Sequence, residues 1–217
     1  MLAIAHRAGN SLPALQAAAE VGADVFEADV HSYGGRLEVR HEKSLGPLPW
    51  LWEKWELIPA ASLPQLELVQ LLDALDALVE PVQLMVDLKG PGAVGVHVAR
   101  LMHERIPDRP LLVCSRWWPG VRPFFGQSWA SPILSARNRA EMQQLRMRVR
   151  RAAPPYGVSL HRALLSRALI AELHERVELV MTWPVNDPGA LEEVLSLGVT
   201  GVIRDEADIL RQLRAEA

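Results

Sequence analysis

Short runs of β-branched and aliphatic residues, each followed by an amphipathic stretch, recur along the whole length of this chain. Eight such runs can be read: Leu2 to His6, Val25 to Val30, Gln83 to Leu88, Leu111 to Ser115, Ile133 to Ala136, Tyr156 to Leu160, Leu179 to Trp183 and Gly201 to Arg204. Strands that alternate with helices pair in parallel, because each helix carries the chain back to the starting edge of the sheet. Eight is the strand number at which such a sheet closes on itself. The expected fold is therefore α/β, a (β/α)8 TIM barrel with residues 1–217 as a single domain, and an open sheet is the alternative that counting leaves. A length of 217 residues suits one compact barrel.

Local signals place several helices. Leu68, Leu71, Leu72, Leu75, Leu78 and Val79 recur at three and four, leaving one apolar stripe, and Ser62 with Gln65 fits a capping box ahead of them. Asp187 before Pro188 reads as an N-cap and a first-turn proline, with Gly198 as the stop. Asp205 is expected to cap a final helix with Ile209, Leu210 and Leu213 turned inward. One segment departs from the alternation. Gly34-Gly35 followed by Leu37-Glu38-Val39-Arg40-His41 reads as a β-hairpin excursion after the second strand. Residues 42–61, with Pro47, Pro49, Trp50, Trp52 and Trp55, read as a loop whose tryptophans pack it onto the barrel.

Charge narrows the partners. A formal net charge of -3 and a pI near 6.2 argue against a nucleic-acid-binding surface. The basic cluster Arg146-Met147-Arg148-Val149-Arg150-Arg151 reads as a solvated helix end. The one cysteine, Cys114, lies in an apolar run and reads as a buried small residue in a reducing compartment. The run Met1 to Ala5 is too short for a signal sequence, and no segment approaches the roughly twenty apolar residues of a membrane span, so a cytoplasmic location is expected. The oligomeric state is left open.

The chemistry is carried by charge where a strand should be apolar. In Val25-Phe26-Glu27-Ala28-Asp29-Val30, alternation puts Phe26, Ala28 and Val30 toward the helices and Glu27 and Asp29 toward the barrel axis. In Leu84-Met85-Val86-Asp87-Leu88-Lys89 the same rule turns Asp87 and Lys89 inward. Carboxylates converging from two strands repel and lose hydration unless a cation holds them. Three oxygen donors without a thiolate suit a hard dication, Mg²⁺ or Ca²⁺, with Mn²⁺ also admissible. His6 ends the first strand and His41 ends the excursion; two imidazoles can take and give the protons that phosphodiester cleavage requires. Arg7 and Lys89 would meet the charge that builds on the phosphoryl oxygens. His31 shares the face of Glu27 and Asp29 and reads as a supporting group, His161 is a weaker candidate, and His97, His103 and His174 read as helix-surface residues.

Ile4-Ala5-His6-Arg7, the stretch Gly22 to Val30, Leu37 to His41, Met85 to Lys89, Thr182 to Asn186 and Gly198 to Asp205, taken in order, resemble the glycerophosphodiester phosphodiesterase family from end to end. The resemblance implies His6 and His41 as the acid/base pair, and Glu27, Asp29 and Asp87 as ligands of one divalent cation. It also implies Arg7 and Lys89 on the phosphate and Trp183 as a wall for the alcohol. Asn10 stands where the family has the asparagine of a longer loop, and Glu42 follows His41 where an aspartate is usual. Asp87 in place of a glutamate resembles the venom-type phospholipases D of the same superfamily. The implied activity is hydrolysis of a small-molecule glycerophosphodiester to glycerol phosphate and an alcohol. The alternatives are a phospholipase D-like lyase that releases a cyclic phosphate, and a non-catalytic barrel that binds a phosphate ester.

Overall fold

The computed structural model describes residues 1–46, 48–63, 65–107, 109–151 and 153–204. The chain runs β1 (Leu2–Ala5), α1 (Leu12–Glu20), β2 (Val25–Tyr33), β3 (Arg36–Val39), β4 (Lys43–Ser44), β5 (Trp50–Glu53), β6 (Glu56–Pro59), β7 (Leu66–Glu67) and α2 (Leu68–Asp76). It continues through β8 (Gln83–Leu88), α3 (Val94–Arg105), β9 (Leu111–Ser115), β10 (Ala130–Ala136), α4 (Arg139–Arg151), β11 (Gly157–His161), α5 (Arg167–His174), β12 (Leu179–Trp183), α6 (Pro188–Leu197) and β13 (Gly201–Arg204). β1 pairs in parallel with both β2 and β13, and β13, β12, β11, β10, β9, β8 and β2 follow one another around the circle. The eight runs read from the sequence are thus the eight staves of a closed parallel barrel. Between β9 and β10 a 3-10 helix, Trp118–Phe124, replaces the usual α-helix. It presses so close to α3 that a Cβ on Gly95 would stand 1.9 Å from the Gly120 carbonyl oxygen, so only glycine fits there.

Strand alternation builds two apolar layers. Ile4, Val25, Met85, Leu112, Cys114, Ile133, Leu179, Met181 and Ile203 fill the barrel interior, while Phe26, Ala28, Val30, Leu84, Val86 and Leu88 belong to the larger layer beneath the helices. Along β2 the inward positions run Val25, Glu27, Asp29, and along β8 they run Met85, Asp87, so the interior changes from apolar to acidic toward the C-terminal ends of the strands. In this fold that end carries the site. No helix among the described residues is long and apolar enough to cross a membrane.

The excursion is a hairpin: β2 and β3 are antiparallel, with Tyr33 opposite Arg36, and the intervening Gly34 and Gly35 have φ of 57° and 79°. Both positions of such a turn need the left-handed region, which explains the glycine pair. Asp187 caps α6 by accepting from Ala190 N at 2.7 Å, and Gly198 ends it with φ 94°. Asp205, Ile209, Leu210 and Leu213 lie outside the described residues.

Three local expectations need correction. The capping box of α2 is formed by Glu67 and Gln70 rather than Ser62 and Gln65, because β7 pairs with β3 as far as Glu67 and delays the helix start; Ser62 instead donates to the Pro59 carbonyl. α2 stops at Asp76, so Val79 is fully exposed instead of facing inward. Residues 42–61 are not a loop held down by tryptophans. They contain the antiparallel sheet β4-β5-β6, in which Leu51 is buried while Trp50 and Trp55 are exposed.

Candidate active site

Parallel pairing of β2 with β8 sets Asp29 opposite Asp87 and Glu27 opposite Met85, so three carboxylates meet at the mouth. One oxygen each from Glu27, Asp29 and Asp87 lies within 4.8 Å of the others. Glu27 and Asp29 are buried, whereas about a quarter of the Asp87 side chain is exposed at the rim. Arg7 takes a left-handed backbone, φ 55°, which aims its N–H at Glu27 Oε2, 2.6 Å away. Asn10, in the 3-10 turn that follows, donates from Nδ2 to Asp29 Oδ2 and accepts from Asp29 N, both at 2.8 Å. The short segment Arg7 to Asn10 therefore clamps two of the three acids.

The Lys89 ammonium sits 2.5 Å from Asp29 Oδ1 and also bonds Asp87 Oδ2. Desolvation works against Lys89, but Asp87 and Asp29 outweigh it and hold the ammonium far above the usual lysine range. Burial opposes the Asp29 carboxylate too, yet Lys89 and the Asn10 amide keep it below its ordinary value. Glu27 is pushed well up, first by burial and then by the Asp29 charge, and Asp87 is pushed up by desolvation against the pull of Lys89. Lys89 and the Arg7 guanidinium together do not bring Glu27 and Asp87 back to their ordinary values. The all-oxygen donor set, its spacing and the buried, elevated Glu27 fit a hard divalent cation.

His6 follows β1, its N–H bonded to the Arg204 carbonyl at 2.7 Å, and lies near enough to Asp87 to act on that carboxyl; His41 stands in the same relation to Asp29. Both imidazoles are half-buried. His41 Nδ1 lies 2.6 Å from Glu53 Oε2, a partner that sequence reasoning missed. Its signal was a lone acid ending the apolar run Trp50-Leu51-Trp52-Glu53, in step with the buried Leu51. Arg40 was missed as well. Buried beside Tyr33, its guanidinium bonds Glu38 Oε2 at 2.9 Å, Ser44 Oγ at 2.6 Å and the Glu42 carbonyl, fixing the backbone on either side of His41.

The remaining candidates separate clearly. Arg7 Nε is 3.9 Å from Asp29 Oδ2. Trp183 ends β12 partly buried against the interior cluster, with the His161 ring edge-on at 5.1 Å. His31 is buried and its pKa falls to about 3, first through desolvation and then through Arg40, so it stays neutral. His97, His103 and His174 are exposed on helices. Arg146 and Arg150 of the basic cluster pair with Glu172 on α5. Cys114 lies in the interior, its thiol pushed up by burial, which makes it inert.

Solved structures identify the class of fold: 38 chains match, among them glycerophosphodiester phosphodiesterases, and this chain has their barrel. A chain assigned as a glycerophosphoryl diester phosphodiesterase from Silicibacter pomeroyi superposes with a TM-score of 0.81 at 16% identity, covering 100% of this chain and 93% of its own. A phosphodiesterase from Oleispira antarctica in complex with the product sn-glycerol-3-phosphate gives 0.77 at 17% over 100% and 97%. The glycerophosphodiester phosphodiesterase of Thermotoga maritima gives 0.73 at 18% over 99% of both chains. A scan against models of protein families and a sequence search of curated proteins both find no match.

Proposed function

We propose that this chain is a metal-dependent phosphodiesterase that cleaves a glycerophosphodiester to glycerol phosphate and an alcohol. The observation that carries this reading is the convergence of Glu27, Asp29 and Asp87 at the mouth of this particular barrel. These three would hold one divalent cation, Mg²⁺, Ca²⁺ or Mn²⁺, which supplies the charge that neutralises them and polarises the phosphoryl group.

The chain's own groups do the rest. Lys89, strongly basic and exposed at one edge, offers a permanent charge to the phosphoryl oxygens, and the Arg7 side chain stands beside Asp29 for the same purpose. If Glu53 accepts from Nδ1 of His41, the ring's Nε2 is left free to take a proton from the attacking hydroxyl or return one to the leaving alkoxide. His6 would perform the complementary transfer: one proton leaves the attacking hydroxyl as another reaches the departing alcohol, and with the histidines' roles reversed water opens the resulting cyclic phosphate to glycerol phosphate. Trp183 walls the alcohol side. A barrel that merely bound an ester would have no use for a carboxylate-held imidazole, and the His41–Glu53 pair therefore favours catalysis over the binding role.

Purified protein with each cation in turn should release glycerol phosphate from glycerophosphocholine, and chelation should stop it. His6→Ala and His41→Ala should each lower turnover by about 10²-fold or more with the fold intact by circular dichroism. An undiminished His41→Ala enzyme would remove that residue from the mechanism. Following ³¹P resonances separates a hydrolysed product from a cyclic phosphate.

A further inference from the structure

Register gives the sheet β4-β5-β6 two unlike faces. Leu51 and Glu53 share the inner one with Ile58 and Glu56, their cross-strand partners; Leu51 is buried and Glu53 reaches His41. Trp50 and Trp52 share the outer one with Pro59 and Leu57, and Lys43 stands opposite Trp52. On that outer face Trp50 is 42% exposed and Leu57 56%, while Trp55, at the tip of the β5–β6 turn, is 88% exposed and meets Trp52 edge-on at 5.8 Å. Leu45 and Leu48, in the segment between β4 and β5, are also exposed.

The turn itself is unusual. Lys54 and Trp55 have φ of 44° and 74°, the left-handed pair of a tight hairpin, where glycine or asparagine is the unstrained choice. A tryptophan there carries a backbone cost and gains almost no burial within the chain. Taking about 200 Å² per large side chain, Trp50, Trp55 and Leu57 present on the order of 400 Å² of apolar surface, well short of the roughly 800 Å² per partner of a stable protein interface. Lys43 belongs to the outer face and Lys54 precedes the tip tryptophan, while Glu53 and Glu56, which flank the same turn, are in register on the inner face.

We propose that this face docks on a lipid surface bearing phosphate headgroups. Tryptophan on a protruding tip, flanked by lysines and aliphatic side chains, matches an interface that is apolar below and anionic above. The opposite face of the same sheet holds His41, so docking would bring the rim of the barrel mouth near the lipid, and the substrate class this implies is a phosphodiester amphiphile such as a lysophospholipid. This second half rests on the phosphodiesterase reading; the docking half does not.

The test is co-sedimentation of the full chain with vesicles of phosphatidylcholine and phosphatidylglycerol, comparing the parent with Trp55→Gly and Leu57→Ser. Glycine suits the turn, so Trp55→Gly should melt no lower than the parent and cleave soluble glycerophosphocholine equally well. It should nevertheless bind vesicles roughly tenfold or more weakly and lose activity on lysophosphatidylcholine in proportion. A parent that stays in the supernatant, or a Trp55→Gly variant that sediments equally, overturns the proposal, as does a dimer of the parent that Trp55→Gly dissolves. Vesicle binding by a protein that cleaves no phosphodiester would uphold the docking face and refute both the substrate assignment and the phosphodiesterase reading.

Discussion

The contact between His41 and Glu53 offers a graded perturbation. The 2.6 Å Nδ1···Oε2 bond joins side chains that are 31% and 19% exposed, shielded enough to resist screening but not dry. A hydrogen bond to a charged partner contributes about 1.5–3 kcal/mol and a neutral one about 1 kcal/mol. Glu53→Gln keeps an oxygen that can accept from Nδ1 and loses the charge, a difference of about 1 kcal/mol, or roughly fivefold in kcat. Glu53→Ala removes the acceptor and frees the ring to turn, about 1.5–3 kcal/mol, or some tenfold to a hundredfold. Both effects should fall on kcat with KM little changed, since the carboxylate supports the imidazole and is not proposed to touch substrate. The imidazole ¹⁵N spectrum of His41, taken without substrate, should show one tautomer in the parent and in Glu53→Gln and a mixture in Glu53→Ala. If both variants stay within twofold of the parent and the spectrum does not change, Glu53 has no part in orienting the histidine.

Further expectations follow from the acidic cluster. Glu27 has a folded-state pKa above its ordinary 4.5, so the metal-free folded chain holds that proton more tightly than the unfolded one. This contribution is full below the ordinary value and is lost as pH rises through the elevated one, so thermal melts in chelator should fall across that window and Glu27→Gln should flatten the fall. Asn10→Ala removes two bonds to Asp29 and should cost about 2 kcal/mol, lowering the melting temperature by some 4–8 °C. A melt within a degree of the parent would show that the clamp is dispensable. Cation at a hundred times its dissociation constant should add about 2.7 kcal/mol to the parent, roughly 5–11 °C, and Asp29→Asn should erase that gain.

The sequence disclosed most where physics is local. Apolar runs such as Val25 to Val30 and Leu84 to Leu88 announce strands buried on both faces, and an acid at an inward position contradicts that burial so sharply that Glu27, Asp29 and Asp87 stand out without any coordinates. Gly34-Gly35 and Asp187-Pro188 were legible for the same reason, each encoding a turn or cap within a few residues. Partners far apart in sequence were not. Glu53 reaches His41 from β5, whose run Trp50-Leu51-Trp52 is apolar at every position and hides its alternation. Arg40 gives no sign that it will be buried against Glu38 and Ser44. The α2 cap was misplaced because Ser62-x-x-Gln65 and Glu67-x-x-Gln70 look alike, and only the pairing of β7 with β3 chooses between them.

The proposed chemistry depends on Glu27, Asp29 and Asp87 together holding one dication. Anomalous diffraction from crystals soaked in Mn²⁺ would locate that ion, because manganese scatters distinctively and takes the same oxygen ligands. A single strong peak should appear at the barrel mouth, with an oxygen of each of the three carboxylates at about 2.0–2.6 Å. A mouth without a peak, with Lys89 still bridging Asp29 and Asp87, or a peak bound elsewhere while activity persists, would contradict the proposed chemistry.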